Sequence, residues 1–546
     1  MFTRPMFTRT AFTRTGRAPL LPPRFGLDAA SVVAMAVLLA ALVLVLVTAI
    51  SSPLKDDVAW LLYVARKWLG GQRLYEDIVE VNPPLIVWIY AVPAMLSDWL
   101  GVSPKTVSAP MFAAFLLGCA WWTAHLLHGR AALFNRILPA FGTIGTVLLL
   151  LPGIEFGQRE HLLVAAGLPY LALFAREMQG EPEPRLTGAL VGMLAALGCA
   201  LKPGYAAAYL VLELVGWAGG GRLFRAASLS AAATLGLYGL GVLIFCPAFL
   251  ENAVPLALAL YGGTDTPCWQ ILLQSRVLLD GVAVVVLLAA LSRRTLAGDQ
   301  PILRALLIGL AAFALAATIS FIMQGKNWFY HQLPASTAAV LALLLWAAAV
   351  LHARPRLNLR LAASAALVAI TLAEFAWSDY DRVQTWVEAA VEPDLSTEVK
   401  LERLVKRERA KTYIAFSEWI ALGFPVVNDT GVTWASRFDS MWALKGELWR
   451  AQQDGAAPAA WPIRRWITRD FVANCPDLAV VDLREGINYV AVLSASDPAF
   501  AEAWSRYHQI AAFDGLRVLK RDAAGCTAPP PRHVKPRMTA MVMEPP

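Results

Sequence analysis

The sequence has little charge: Asp, Glu, Lys and Arg together make up only 16% of its 546 residues. A soluble chain of this length would carry about a quarter charged residues. By contrast, 58% of the residues are hydrophobic, and several apolar runs reach the length of about 18 residues that crosses a hydrocarbon core of about 30 Å. The shortage of charge therefore excludes an ordinary soluble protein and predicts an all-α polytopic membrane protein.

Cysteine is also scarce, and its spacing excludes the common metal and redox motifs. The six cysteines show neither a CxxC pair nor zinc-ligand spacing. Three of them, Cys119, Cys199 and Cys246, lie in apolar runs and are interpreted as packing residues. Cys475 and Cys526 lie in the polar C-terminal part, where they can pair if that part is extracytoplasmic. The sequence leaves this pairing open.

Nucleic-acid motifs are absent as well. The formal net charge of +7 would suit a nucleic-acid partner, but arginine-rich cytoplasmic loops of a membrane protein give the same sum. We therefore predict membrane lipids rather than nucleic acid as the partner of this basic chain.

Eleven apolar segments are candidate spans: 29–50, 106–127, 135–152, 162–175, 187–201, 204–217, 228–248, 271–291, 303–322, 333–351 and 360–377. A twelfth, 82–101, is apolar but holds Pro93 midway and Asp98 near its end. If it does not span, and the arginine-bearing N-terminus is cytoplasmic, every cytoplasmic loop holds at least two arginines. If 82–101 spans, every later loop changes sides and the arginine-rich loops fall on the outer side of the membrane. We therefore expect about eleven spans, with 82–101 forming helices at the outer membrane surface.

The predicted spans divide the chain into four regions. Residues 1–28 form a cytoplasmic N-terminus with an FTR repeat, expected to be disordered, and 29–380 form the membrane domain, whose first extracytoplasmic loop is 51–105. Residues 381–528 mix charge with short apolar runs such as "DLAVVDL" and "LRVLK", which predicts a small extracytoplasmic α/β domain. The proline-rich tail 529–546 is expected to be disordered.

The predicted outer loops hold nearly all the unusual polar residues. Each of these residues also has a purely structural explanation. The lysines can snorkel to the membrane surface, Arg159 and Glu160 can form an ion pair at the membrane boundary, His331 can be a packing histidine, and Tyr330 can belong to an aromatic belt. Acids and cations from five loops on one face instead favour a site for an anionic headgroup. The set comprises Asp56, Asp57, Glu80, Asn82, Arg159, Glu160, Lys202, Tyr205, Lys326, Tyr330 and His331.

The order of these motifs resembles that of the C-type-fold (GT-C) glycosyltransferases, notably the lipid A aminoarabinose transferases and the protein O-mannosyltransferases. The first loop of that family carries an acidic pair, an A-R-x-x-L-x-G helix and a K-P-P-L turn. The corresponding stretches here are Asp56-Asp57, 65–71 and "NPPL" at 82–85. The later motifs of the family resemble "GQREH" at 157–161, "LKPG" at 201–204, and Lys326, Tyr330 and Pro334.

The resemblance implies a polyprenyl-phosphate-sugar donor and an acceptor hydroxyl on a lipid, polysaccharide or protein. It implies transfer with inversion at the periplasmic face of a bacterial inner membrane. Asp56 would be the catalytic base with Asp57 beside it. The donor phosphate would bind the residues Arg159, Lys202, Lys326, Tyr330 and His331, whereas acceptor contacts or supporting roles would fall to Glu80, Asn82, Glu160 and Tyr205.

The chain departs from the family pattern before the two prolines. Val81-Asn82 replaces a glutamate-lysine pair whose glutamate is implicated in metal binding. A divalent metal is therefore in doubt, with Asp56 and Glu80 as its candidate ligands. Two alternatives remain: an O-antigen-ligase-type transferase with a lipid diphosphate donor, and a transporter of lipid-linked sugars. A transporter would place charges within helices and show inverted repeats, and the sequence shows neither.

Overall fold

The computed structural model describes residues 28–181, 184–222, 224–295, 301–352, 359–453 and 461–522. The predictions for 1–27 and for the tail 529–546 lie outside these residues. The α-helices are α1 Ala29–Ser51, α2 Asp56–Leu69, α3 Pro84–Leu100, α4 Pro104–Leu127, α5 Ile137–Leu150, α6 Arg159–Glu177, α7 Arg185–Leu201, α8 Ala206–Ala218, α9 Ala226–Phe245, α10 Val254–Leu260, α11 Cys268–Gln274, α12 Arg276–Thr295, α13 Pro301–Met323, α14 Leu333–His352, α15 Leu359–Val391, α16 Thr397–Arg407, α17 Val426–Thr430, α18 Trp442–Ala451, α19 Ile463–Asn474, α20 Tyr489–Ser496 and α21 Pro498–Trp504.

The chain forms two compact units, each assembled from three segments. The helical unit comprises Met1–Ser52, Ser108–Gly241 and Asp265–Val391. The mixed unit comprises Pro53–Val107, Val242–Thr264 and Glu392–Pro546. The first predicted outer loop and the C-terminal part of the chain therefore belong to the same unit.

A helix occupies each of the eleven predicted spans, but fewer helices have the length and composition of a span. Six of the described helices qualify, and a seventh is counted if α11 and α12, which meet at a 75° bend, form one broken span. The others are short or charged: α5 has 14 residues, or about 21 Å, and α6 carries Arg159, Glu160 and Arg176. The described residues thus show a mostly helical chain with six or seven candidate spans.

Close packing of small residues joins the helices of the helical unit. A side chain at Gly192 of α7 would meet the backbone of Ala227 in α9, and one at Gly142 of α5 would meet the backbone of Ala34 in α1. Such contacts are typical of membrane helices, whose association depends on van der Waals packing because lipid is as apolar as the side chains. Helix α6 lies at the centre of this packing, since its residues are buried from Arg159 to Arg176.

Charged groups gather at the end of α6 far from Glu160. Arg225 pairs there with Glu177 of α6 and with Glu213 of α8. Glu160 and Glu177 are about 25 Å apart along the helix at 1.5 Å per residue. Glu160 and the Arg225 ion pairs therefore lie at opposite ends of α6.

The mixed unit contains a five-stranded sheet with strand order β2-β1-β3-β5-β4. Strand β1 pairs in parallel with β2 and with β3, whereas β5 runs antiparallel to both β3 and β4. The strands are β1 Thr412–Phe416, β2 Thr433–Trp434, β3 Leu478–Asp482, β4 Tyr507–Phe513 and β5 Leu516–Arg521. Strands β1 and β3 are buried throughout. The sheet predicted from "DLAVVDL" and "LRVLK" is thus confirmed.

The sheet region packs directly on the first loop. Val79 donates its backbone N–H to the Arg437 carbonyl at 2.9 Å, and the Asn428 side chain donates to the Ala59 carbonyl at 3.0 Å. Beside them, the Trp60 and Phe424 rings meet edge to face at 5.0 Å. The first loop is consequently held by residues that lie more than 300 positions later in the sequence.

The two C-terminal cysteines can be compared with their expected pairing. Cys475 is disulfide-bonded. Its expected partner, Cys526, lies outside the described residues. Four other cysteines are free thiols: Cys119, Cys199, Cys246 and Cys268.

Candidate functional site

Four carboxyl groups of the mixed unit form what we call the acidic cluster: Asp56, Asp57, Glu80 and Asp439. Asp56 and Asp57 open helix α2, where the unpaired N–H groups of the first turn favour negative charge. Asp56 accepts the backbone N–H of Asp57 at 2.9 Å, and Lys55 Nζ lies 3.2 Å from the same oxygen. Burial raises the pKa of Asp56 above its usual value; the Lys55 charge opposes this rise and the Asp57 charge adds to it.

Glu80 is held as a hydrogen-bond acceptor inside the loop. Its carboxylate accepts the Trp60 indole N–H on one oxygen, and the backbone and side-chain N–H groups of Asn82, both at 2.6 Å, on the other. Tyr75 fixes the same turn by donating its hydroxyl to the Asn82 carbonyl at 2.7 Å. Glu80 and Asn82 therefore shape the loop beside the acid pair of α2.

Asp439 is a member of the acidic cluster that the sequence reasoning missed. It follows β2 and is 9% exposed, and Ser440 donates its hydroxyl to it at 3.1 Å. Burial, together with the nearby charges of Glu80 and Asp57, raises the pKa of Asp439 to about 8. At neutral pH this side chain is therefore mostly a neutral acid that can donate a hydrogen bond.

The raised pKa of Asp439 predicts a pH-dependent stability cost. The unfolded chain ionises this residue near pH 3.8, whereas the folded chain does so near 8, so the cost grows as pH rises between these values. We expect Asp439→Asn to gain stability relative to the parent chain as pH rises from 5 to 8. Thermal unfolding of the detergent-purified protein at pH 5, 7 and 9 measures this gain.

Asp514 offers a matched control with the opposite sign. Lys400 and Thr397 hold the pKa of Asp514 below its usual value, so its contribution is already complete above pH 5. Asp514→Asn should therefore lose the same small amount of stability at all three pH values. A gain for Asp439→Asn that stays flat with pH would show that Asp439 ionises like an ordinary aspartate.

A second group of residues, in the helical unit, forms what we call the basic cluster. It gathers at one end of the helical unit, where α6, α8 and α14 begin and α7 and α13 end. Its members are Arg159, Glu160, Lys202, Tyr205, Asp265, Lys326, Tyr330 and His331. All seven of the predicted donor-side and supporting residues of these loops are therefore close together, and Asp265 is an addition.

Glu160 lies at the centre of the basic cluster and is fully buried. Lys202 Nζ is 3.1 Å and His331 Nε2 is 3.4 Å from its Oε1 atom, and Arg159 Nε is 4.0 Å from its Oε2 atom. A buried carboxylate is strongly destabilising unless cations compensate it. Glu160 is thus the anion that holds two of the predicted phosphate-binding cations in place.

The neighbours of His331 decide its protonation pattern. Lys202 Nζ lies 3.0 Å from Nε2, and because an ammonium group only donates, Nε2 is assigned as the acceptor and the proton as lying on Nδ1. Lys202 then bridges Nε2 and the Glu160 carboxylate, and the 3.4 Å approach of Nε2 to Glu160 is not a hydrogen bond. Nδ1 is buried and has no hydrogen-bond partner among the described residues. Tyr205 fixes the backbone here by donating its hydroxyl to the His331 carbonyl. A buried N–H donor is thus available to a ligand oxygen.

Aromatic rings enclose the cations of the basic cluster. The Arg159 guanidinium lies 5.9 Å from the centre of the Tyr330 ring, and Lys326 Nζ lies 5.9 Å from the centre of the Trp328 ring. Tyr330 also packs edge to face on His331 at 4.6 Å. Such cation–π contacts stabilise desolvated cations without neutralising them, so Arg159 and Lys326 keep their positive charge beside the rings.

Asp56 and Glu80 are the candidate ligands for the divalent metal considered from the sequence. In the described ranges, no group of three or more His, Cys, Asp or Glu side chains can hold a metal ion. Of the two candidate ligands, Glu80 already accepts three N–H groups. The described residues therefore do not fit a divalent metal.

Comparisons with known proteins add no family assignment. The chain matches no model of a known protein family and has no significant match among curated proteins.

Proposed function

We propose that the chain is a GT-C-type glycosyltransferase that moves a hexose or pentose from a polyprenyl-phosphate donor to an acceptor hydroxyl. One observation carries this proposal: three cations from three loops, Arg159, Lys202 and Lys326, gather with buried hydrogen-bond donors at one end of the helical unit. A phosphate at the end of a lipid chain matches such a site, since the chain lies in the bilayer and the phosphate at its surface.

The charges fit the course of the reaction. The donor is a phosphodiester with one negative charge, and the departing lipid phosphate is a monoester with a charge of about −1.5 to −2 at pH 7. The leaving group therefore needs charge stabilisation and no proton. Lys202 and Lys326 supply point charges, Arg159 supplies a forked donor, and His331 supplies an N–H group. These interactions strengthen as the leaving group develops its charge, which accelerates transfer.

The acceptor needs a base, and Asp56 is our choice. The acceptor oxygen attacks the anomeric carbon and the bond to the phosphate oxygen breaks with its electron pair, while the acceptor proton passes to the carboxylate. A raised pKa makes Asp56 a stronger base than an exposed aspartate. Asp57, Glu80 and Asn82 orient this base and the acceptor.

Three observations support a periplasmic site in a bacterial inner membrane. The basic cluster and the Arg225 ion pairs lie at opposite ends of α6, as expected if the arginine-rich end is cytoplasmic. Helix α3 exposes apolar side chains at 92, 95, 96 and 99, which suits a helix lying in the outer interface. The disulfide at Cys475 is typical of an oxidising compartment.

The proposal is tested with purified full-length protein in liposomes and a panel of polyprenyl-phosphate sugars. We expect transfer of at least one sugar to lipid, polysaccharide or protein acceptors from the same envelope. A parallel panel of lipid diphosphate sugars tests the alternative of an O-antigen-ligase-type enzyme. Transfer from diphosphate donors alone would overturn our choice of donor, and vesicle uptake of a lipid-linked sugar without transfer would favour a transporter.

A further inference from the structure

The ion pair between Lys326 and Asp265 is asymmetric. The Lys326 side chain is 5% exposed, whereas the Asp265 side chain is 52% exposed. Separation would return the carboxylate to water at low cost, but the ammonium group would stay in a desolvated place that favours another anion. Asp265 is thus the partner that can leave, and Lys326 is the partner that stays.

A backbone hydrogen bond joins the loops of Asp265 and Lys326, so the Asp265 side chain can move while the loops stay in place. Thr266 donates its N–H to the Gly325 carbonyl at 2.8 Å, which joins the two loops independently of the ion pair. Gly325 has φ of +67°, and a side chain there would press on the Asp265 carboxylate at 3.3 Å. The loops therefore stay joined when the carboxylate turns away.

The charge of the basic cluster changes by one unit if Asp265 turns away. Its three cations face two carboxylates, Glu160 and Asp265, which leaves one net positive charge. One positive charge matches a phosphodiester. Without Asp265 the cluster carries two, which matches the monoester that transfer produces.

We propose that Asp265 is the exchangeable counter-ion of Lys326: it occupies the lysine in the resting protein and yields it to the lipid phosphate. This rests on the proposed function. As the bond between the acceptor oxygen and the anomeric carbon forms, the bond from that carbon to the phosphate oxygen breaks. The electron pair and its negative charge stay on the phosphate, and Lys326 pairs with that charge. When the lipid phosphate leaves, Asp265 returns to Lys326 and weakens the hold on the product.

The test measures binding of farnesyl phosphate to the full-length protein in detergent by calorimetry, with farnesol as the neutral comparison. Asp265→Asn should bind farnesyl phosphate about threefold to tenfold more tightly, because the competing charge is gone. Asp280→Asn is the matched control, since Asp280 is 54% exposed and pairs with Arg276 on the same unit. It should bind like the parent chain.

A double-mutant comparison separates counter-ion exchange from a structural role. Lys326→Met should weaken binding, and Asp265→Asn should then give no gain in the same chain. Equal or weaker binding by the single Asp265→Asn variant, or a parent chain that does not prefer farnesyl phosphate to farnesol, would overturn the inference. A parent chain that binds farnesyl phosphate but transfers no sugar would defeat the proposed function alone, and the Asp265→Asn comparison would still decide the inference.

Discussion

Replacement of Asp56 by asparagine is expected to lower the rate of sugar transfer by about 10²- to 10⁴-fold, the contribution typical of a general base. Asparagine has the same shape, and its carbonyl oxygen can still accept the Asp57 N–H that now binds Asp56 at 2.9 Å. The start of α2 should therefore survive the change, so that the loss reports chemistry rather than folding. Initial rates with saturating donor and acceptor, together with the thermal unfolding midpoint, measure both effects.

The pH dependence gives an independent check on Asp56. Only the ionised carboxylate can take a proton, so transfer must decline as pH falls through its pKa. Because burial raises this pKa above 3.8, we expect the decline to begin at a higher pH than for an exposed aspartate. A rate that is independent of pH on the acidic side would contradict the assignment.

Asp98 provides the control for the Asp56 variant. It belongs to the same unit, is 57% exposed and pairs with Arg66 at 2.5 Å. Asp98→Asn should leave transfer nearly unchanged, because an exposed ion pair contributes little. If Asp56→Asn also transfers at nearly the normal rate, the base is another group, and Asp57→Asn becomes the next variant to measure.

The sequence predicted helices well because length and apolar composition act locally. All eleven expected spans are helical, and α1 differs from its expected range by only one residue at its C-terminal end. Predicting the number of spans is harder, because α6 combines a buried apolar face with charged ends and α5 reaches only about 21 Å. Their burial depends on neighbouring helices, and no local pattern reports that.

The two clusters were predictable to different degrees. The basic cluster could be predicted because alternate loops fall on the same side of a membrane, and its members lie in loops that the span count put on one predicted side. Asp439 could not be predicted, because it lies about 360 residues beyond Glu80, in a stretch whose pairing with Val79 depends on the tertiary fold. Asp265 lies between the predicted spans 228–248 and 271–291, but its pairing with Lys326 could not be derived from spacing.

The second large effect is expected at Lys202. Lys202→Met removes a charge that we propose faces the leaving phosphate, and we expect the turnover number to fall by about 10²- to 10³-fold. The loss should appear mainly in turnover, because the lysine interacts more strongly with the phosphate after the bond has broken. Steady-state kinetics with varied donor separate this from a change in KM.

The same change should destabilise the fold, because Lys202 also compensates the buried carboxylate of Glu160 at 3.1 Å. Adding Glu160→Gln to the Lys202→Met chain removes the uncompensated charge and should restore much of the lost stability. The double variant should nevertheless stay slow, since no cation has been returned to the phosphate. If stability and transfer recover together, Lys202 acts only by holding Glu160, and the leaving phosphate must depend on Arg159 and Lys326. Recovery of stability without transfer would assign Lys202 both tasks.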